Sequence, residues 1–161
     1  MEIERKFTIK KLPDNLEQYQ CLSIEQGYLC TSPIVRIRQK DNEYILTYKS
    51  KQGIDASTTT AIVNQEVEVP LTKSAYEHLR EKVDNQLVTK RRYLIPLQGN
   101  LKIELDVFEG HLKGLYFAEV EFESAEAANA FEPPEWFDQD VSKDKRYSNS
   151  HLSKITSLVE F

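Results

Sequence analysis

The chain has 161 residues, of which 40% are hydrophobic and 29% charged, and a formal net charge of −5 at pH 7. That suffices for one domain, residues 1–161, with a buried core, and the acidic balance provides no overall field to attract nucleic acid. Apolar runs shorter than the roughly 18 residues of a membrane helix, and a charged N-terminus, predict a cytoplasmic protein away from membranes, while Cys21 and Cys30 provide neither a disulfide framework nor a close metal-ligand pair.

In chain order, Glu2–Ile9 alternates as a β-strand, with Glu2, Glu4 and Lys6 on one face and Ile3 and Phe7 on the other. A helical stretch is predicted at Pro13–Tyr19, then strands at Ile24–Thr31, Ile34–Lys40 and Glu43–Ser50, with Asp41-Asn42 suited to a hairpin turn. A loop with Gly53 covers Ser50–Ser57, and a strand Thr58–Val69 precedes a helix Thr72–Val83, capped by Thr72 and apolar at Ala75, Leu79 and Val83. Strands Val88–Ile95, Leu101–Phe108 and Leu115–Glu123 follow, joined through Gln98-Gly99-Asn100 and Glu109–Gly114. Helices are predicted at Ser124–Phe131 and Ser150–Val159, the last carrying Leu152, Ile155 and Val159 together, and Pro33, Pro70 and Pro96 mark strand ends. The expected class is α+β, mainly β. Closing eight antiparallel strands into a barrel removes exposed edges, and helices with one apolar stripe need the apolar strand face, so the charged face turns inward.

That face carries Glu2, Glu4, Glu66, Glu68, Glu104, Asp106, Glu119, Glu121 and Glu123 against Lys6, Arg36, Arg38, Lys49, Lys90 and Arg92; nine acids and six cations leave −3. Arg5 and Arg91 have the opposite parity and are expected outside, with lesser importance. A half-exposed sheet with a solvated charged face explains any one strand, but repeated like charges at i, i+2 gain nothing structurally. Paired cations at two-residue spacing suit the oxygens of a linear phosphate ligand, and hard oxygen donors without clustered histidines point to Mg²⁺ or Mn²⁺. His78, His111 and His151 are scattered, and no phosphate-binding glycine loop, nucleophile elbow or zinc-protease motif is present. Tyr44, Tyr48, Phe117 and Phe122 are assigned to apolar faces, which disfavours stacking on RNA bases.

These motifs resemble those of the CYTH domain proteins, the triphosphate tunnel metalloenzymes. Glu2-Ile3-Glu4-Arg5-Lys6 is similar to the family's E-x-E-x-K signature, Val35-Arg36-Ile37-Arg38 to its R-x-R strand and Leu46-Thr47-Tyr48-Lys49 to its tunnel-lysine strand. Glu66-Val67-Glu68, Lys90-Arg91-Arg92-Tyr93, Glu104-Leu105-Asp106 and Glu119-Val120-Glu121 complete the order across nearly the whole chain. The resemblance implies an eight-stranded tunnel that binds a small-molecule triphosphate and hydrolyses it with divalent metal, inorganic tripolyphosphate being the leading substrate. It implies a catalytic set of Glu2, Glu4, Tyr28, Lys90, Glu119 and Glu121, and a clamp of Lys6, Arg36, Arg38, Lys49, Lys90 and Arg92. The implied metal ligands are Glu2, Glu4, Glu68, Asp106, Glu119 and Glu121, with Glu66, Glu104 and Glu123 as further donors. Arg146-Tyr147-Ser148-Asn149 and Leu152 resemble a segment that closes one tunnel end, with Asp140 and Lys145 within reach of that mouth. Open alternatives are a class IV-type adenylyl cyclase, a thiamine, RNA 5′ or nucleoside triphosphatase, a non-catalytic polyphosphate-binding module and a structural adaptor. The oligomeric state also stays open, a homodimer being one option.

Overall fold

A computed structural model describes residues 1–161. Its strands are β1 (Glu2–Ile9), β2 (Gln20–Thr31), β3 (Ile34–Lys40), β4 (Glu43–Ser50), β5 (Ile62–Pro70), β6 (Asp84–Pro96), β7 (Lys102–Phe108), β8 (Tyr116–Glu121) and β9 (Phe137–Asp140). Helices are α1 (Lys73–Arg80), α2 (Ala125–Ala130) and α3 (Asn149–Lys154). All strand pairs are antiparallel, in the order β5-β4-β3-β2-β6-β7-β8-β1-β9, and β1 also pairs with β5. That last pairing closes eight strands into a barrel.

The seam explains β9, which the sequence reading missed. Glu2–Glu4 pair with Asn64–Ile62 of β5, but β5 begins at Ile62, so the edge at Phe7 and Ile9 is left free and is covered by Asp140 and Phe137. The short run Phe137-Asp138-Gln139-Asp140 shows no apolar alternation, so only the neighbouring edge makes it a strand.

Apolar side chains cover the outside of the barrel. Phe7, Ile103, Leu105, Ala118 and Val120 pack with Ala128 of α2 and Phe137 of β9 into a ten-residue cluster. Arg5 points outward as expected, but it is a structural tie rather than a minor residue. Its Nη1 donates to the carbonyls of Ala128 at 2.9 Å and Phe131 at 3.1 Å, at the C-terminal end of α2, and its Nε lies 3.1 Å from Asp140 Oδ2. Phe117 corrects a second expectation: it pairs with Asp106 and shares the parity of Glu119, so it faces inward. There it joins Val88, Phe108, Leu112, Leu152 and Ile155 in an apolar plug that fills part of one barrel end.

Several boundaries differ from expectation. The predicted helix Pro13–Tyr19 is only a 3-10 turn, Leu16–Gln18, and β2 starts at Gln20 rather than Ile24. Thr72 caps α1 by accepting from Ala75 N at 3.1 Å, but the helix stops at Arg80 and β6 begins at Asp84. Gly27 permits that early start, because a Cβ there would lie 2.7 Å from Val83 Cγ1 and 2.9 Å from Leu87 Cδ2. β5 starts at Ile62 instead of Thr58. The last predicted helix ends at Lys154, where Ile155 turns extended, so Val159 is not packed with Leu152 and is 95% exposed. No helix is long and apolar enough to cross a membrane.

Candidate active site in the barrel lumen

Strand alternation brings the charged residues of separate strands to one enclosed surface. Glu2, Glu4, Lys6, Arg36, Arg38, Lys90, Arg92, Asp106 and Glu119 are all buried. Cross-strand register sets Lys6 beside Glu119, Lys49 beside Glu66, and Arg92 beside Asp106, with each pair on the inner face. One cavity of about 140 Å³ is lined by Glu2, Glu4, Arg38, Glu68, Glu119 and Glu121 among others, without a hydrophobic residue. A second, of about 260 Å³, continues past Glu4 and Arg36 to Lys6 and Tyr28.

Part of this charge is internally neutralised. Arg92 grips Asp106 through two bonds of 2.8 and 2.9 Å and reaches Glu104 at 3.1 Å, while Lys90 Nζ lies 2.7 Å from the same Asp106. Lys49 lies 2.9 Å from Glu2 and 3.3 Å from Glu66. The remainder makes no direct ion pair, although Glu119 lies beside Lys6 in register and acts on it through space. Arg38 spends Nε and Nη2 on the neutral Gln26 Oε1 at 3.0 and 2.8 Å, and Arg36 has only Thr47 at 3.4 Å with its Nε unpartnered. Lys6 donates to the Tyr147 carbonyl at 2.7 Å and lies 4.4 Å from the Phe117 ring centre. Buried cations without a direct anion partner cost on the order of several kcal/mol each in lost solvation unless a ligand compensates.

Protonation follows this map. Burial, Glu119 and Glu2 together push the Glu4 carboxyl well above its usual range. Burial would also raise Glu119, but Lys6 and Arg92 outweigh it and hold this carboxylate low. Burial depresses the Lys90 ammonium to about 7 despite Asp106. Burial, with Arg36 and Arg92 adjacent, lowers Arg38 to about 9. Lys90 and Arg38 are therefore held against their charged forms, which an incoming anion favours.

The family model for the CYTH domain matches residues 1–157. The chain belongs to the CYTH family. It is 40% identical over 155 residues to an inorganic triphosphatase of Nitrosomonas europaea, covering 94% of this chain and 96% of that protein. An inorganic triphosphatase of Acetivibrio thermocellus is 31% identical over 159 residues, covering 95% and 93%. The crystal structure of an inorganic triphosphatase superposes with a TM-score of 0.69 at 38% identity, covering 98% of this chain and 97% of that one.

CYTH triphosphatases are in general metal-dependent, and the donors available here are hard oxygens, as such ions require. Glu119 Oε1 is buried with no hydrogen bond and with Arg92 Nη2 3.7 Å away, an acceptor of the type a cation would use. No three carboxylates are yet drawn into a closed cage, because Glu2 and Glu66 turn to Lys49 and Asp106 to Lys90 and Arg92. Tyr28 is buried and lines the cavity beside Lys6 and Arg36. Glu68 and Glu121 stand exposed at the rim of the CYTH lumen, Glu66 and Glu104 are half-buried, and Glu123 falls beyond the end of β8, exposed and away from both cavities. Gln26, Thr47 and Asn64 line the lumen although sequence reasoning did not single them out. Their parity with Tyr28, Lys49 and Glu66 was the available signal; Ser142, which lies outside the barrel strands, offered none, whereas Ser148 and Asn149 of the segment expected at a tunnel end do line the second cavity.

Proposed function

We propose that this chain, acting as one domain over residues 1–161, hydrolyses inorganic tripolyphosphate to pyrophosphate and orthophosphate. The carrying observation is that Lys6, Arg36 and Arg38 are buried together without a direct carboxylate ion pair, Glu119 acting on Lys6 only through space, an arrangement that a linear polyanion completes. The named activity of both relatives supports the same reading.

Lys6, Arg36, Arg38, Lys49 and Arg92 hold phosphate oxygens and stabilise charge that moves onto the leaving bridging oxygen. Lys90, titrating near neutrality inside the barrel, can hold a proton against a phosphate oxygen or release it. Tyr28 positions the phosphate nearest Lys6 and Arg36. Glu4 and Glu119, with Glu2 and Glu121, are the residues we assign to a divalent cation, and Glu68 is a candidate for a second one at the rim. Asp106, whose oxygens are already taken by Lys90 and Arg92, orients those cations and joins a metal only by releasing one of them. When bound, Mg²⁺ or Mn²⁺ supplies neutralisation of the phosphates and a lowered pKa for a coordinated water. The carboxylates of Glu4 and Glu119 would orient the attacking water towards the terminal phosphorus.

A panel of tripolyphosphate, pyrophosphate, ATP and thiamine triphosphate, with Mg²⁺ or Mn²⁺ and every product read, tests this. Equal yields of pyrophosphate and orthophosphate from tripolyphosphate are expected. Absence of metal-dependent phosphate release, or cyclic AMP as the main product from ATP, would overturn the assignment.

A further inference from the structure

Arg38 and Arg92 are held in the same way by different chemistry. Each donates from Nε and Nη2, Arg92 to the Asp106 carboxylate at 2.8 and 2.9 Å and Arg38 to the Gln26 amide oxygen at 3.0 and 2.8 Å. A carboxylate in place of that amide would pair with Arg38 as Asp106 does with Arg92, yet the chain has glutamine there. The neutral oxygen aims the guanidinium and leaves its charge unspent.

Gln26 itself is only half satisfied. It is 0% exposed, on the inner face of β2 between Ile24 and Tyr28, and cross-strand register sets it beside Arg38 on β3 and Val88 on β6. The two bonds from Arg38 take Oε1 and fix the amide, because the opposite orientation would turn its NH₂ group towards the guanidinium nitrogens. Nε2 is left with two N–H donors and no hydrogen-bond partner, and the apolar side chains of Ile24 and Val88 offer it no acceptor. A buried donor left unpaired is costly. Its neighbours mark what could complete it: Tyr28 lines the larger cavity, Arg38 the smaller, and Arg36, opposite Tyr28 in register, lines both. An anion lying along these cavities brings its oxygens to the missing acceptor.

We propose that Gln26 contacts the substrate, its Oε1 holding Arg38 without cancelling the cation while its Nε2 donates to a phosphate oxygen beside that guanidinium. The inference rests on the triphosphatase reading for the identity of the anion. The amide neither gains nor loses a proton; it adds a fixed donor at a place where a carboxylate would repel the ligand.

The test compares the natural chain with Gln26→Leu, Gln26→Glu, Arg38→Met and Gln26→Leu/Arg38→Met, reading tripolyphosphate binding in chelator, kcat/KM with metal, and the denaturation midpoint. Gln26→Leu should weaken binding by at least about tenfold, as for a lost hydrogen bond to a charged group. Gln26→Glu keeps an acceptor for Arg38 but loses the donor and cancels the charge, so it should weaken binding by at least about 10². Its midpoint should be no lower than that of the natural chain, because the buried cation gains a partner. A Gln26 that served only to hold Arg38 would be dispensable once Arg38 is gone, whereas contact with the phosphate predicts a further loss of about fivefold or more in kcat/KM from Gln26→Leu in the Arg38→Met background. No further loss in that background, or binding by Gln26→Glu within about twofold of the natural chain, overturns the contact. The expected pattern in dissociation constants, without phosphate release from any of these proteins, upholds the contact and refutes the hydrolase reading alone.

Discussion

Around Asp106 the lumen neutralises its own cations through direct ion pairs, whereas Arg36, Arg38 and Lys6 are hydrogen-bonded only to neutral groups. Both regions are buried and both are built from alternating strand residues, so burial and charge alone do not separate them. Partner chemistry does: Asp106 completes its cluster within the protein, while a Gln26 oxygen and a Tyr147 carbonyl leave net positive charge in place. The first region behaves as an ionic core and the second as a site awaiting an anion. Removing one member of a closed buried pair strands the other, but removing an unpaired buried charge relieves the fold.

The largest expected effect breaks the closed region. Asp106→Asn should lower stability by about 3–5 kcal/mol, because Lys90 and Arg92 lose their shared carboxylate, and chemical denaturation would show it as a lower midpoint. An unchanged midpoint would mean that the two regions do not differ as described. Next, Arg38→Met should leave that midpoint unchanged or higher while reducing kcat/KM for tripolyphosphate by about 10²–10³, by analogy with other groups aimed at transition-state charge. Loss of stability without loss of turnover would reverse its assignment.

Glu4→Gln should cost a similar factor of about 10²–10³ and also change the pH dependence of stability. The folded chain keeps a proton on Glu4 above its ordinary value of 4.5, where the unfolded chain has lost it, so this group's contribution declines as pH rises from there through the raised value. Denaturation midpoints of Glu4→Gln across pH should lack that decline, and a persistent decline would place the shared proton elsewhere. The smallest effect concerns Lys90. Between about 7 and 10.5 the unfolded chain binds the proton and the folded chain does not, so this group makes stability rise with pH, while phosphate binding needs the ammonium and weakens across the same window. Calorimetry in buffers of different ionisation enthalpy should detect proton uptake on tripolyphosphate binding near pH 8; its absence would show that Lys90 does not meet the ligand.

How much of this was readable beforehand varied with the kind of interaction. Asp41, at φ 53 in its hairpin turn, and the alternation in Ile34–Lys40 are local properties, and β3 and β4 match their predicted bounds. Arg5 illustrates the opposite case: its parity correctly placed it outside, but its bonds to Ala128, Phe131 and Asp140 span more than a hundred residues and leave no local trace. Phe117 departs from the expectation that an aromatic residue marks the outer apolar face, because the plug gives the lumen an apolar end of its own.

Residue alternation by itself determined that Glu2, Glu4 and Lys6 share one side of their strand, as do Arg36 with Arg38 and Lys90 with Arg92, since a strand sends successive side chains to opposite sides. Only the tertiary structure decided which charges cancel and which stay open, that β9 seals the seam, and that one mouth is lined by lysines from the β4–β5 loop and the C-terminal segment. Pairing depends on distances across strands and between remote loops, and register within a single segment carries no information about them.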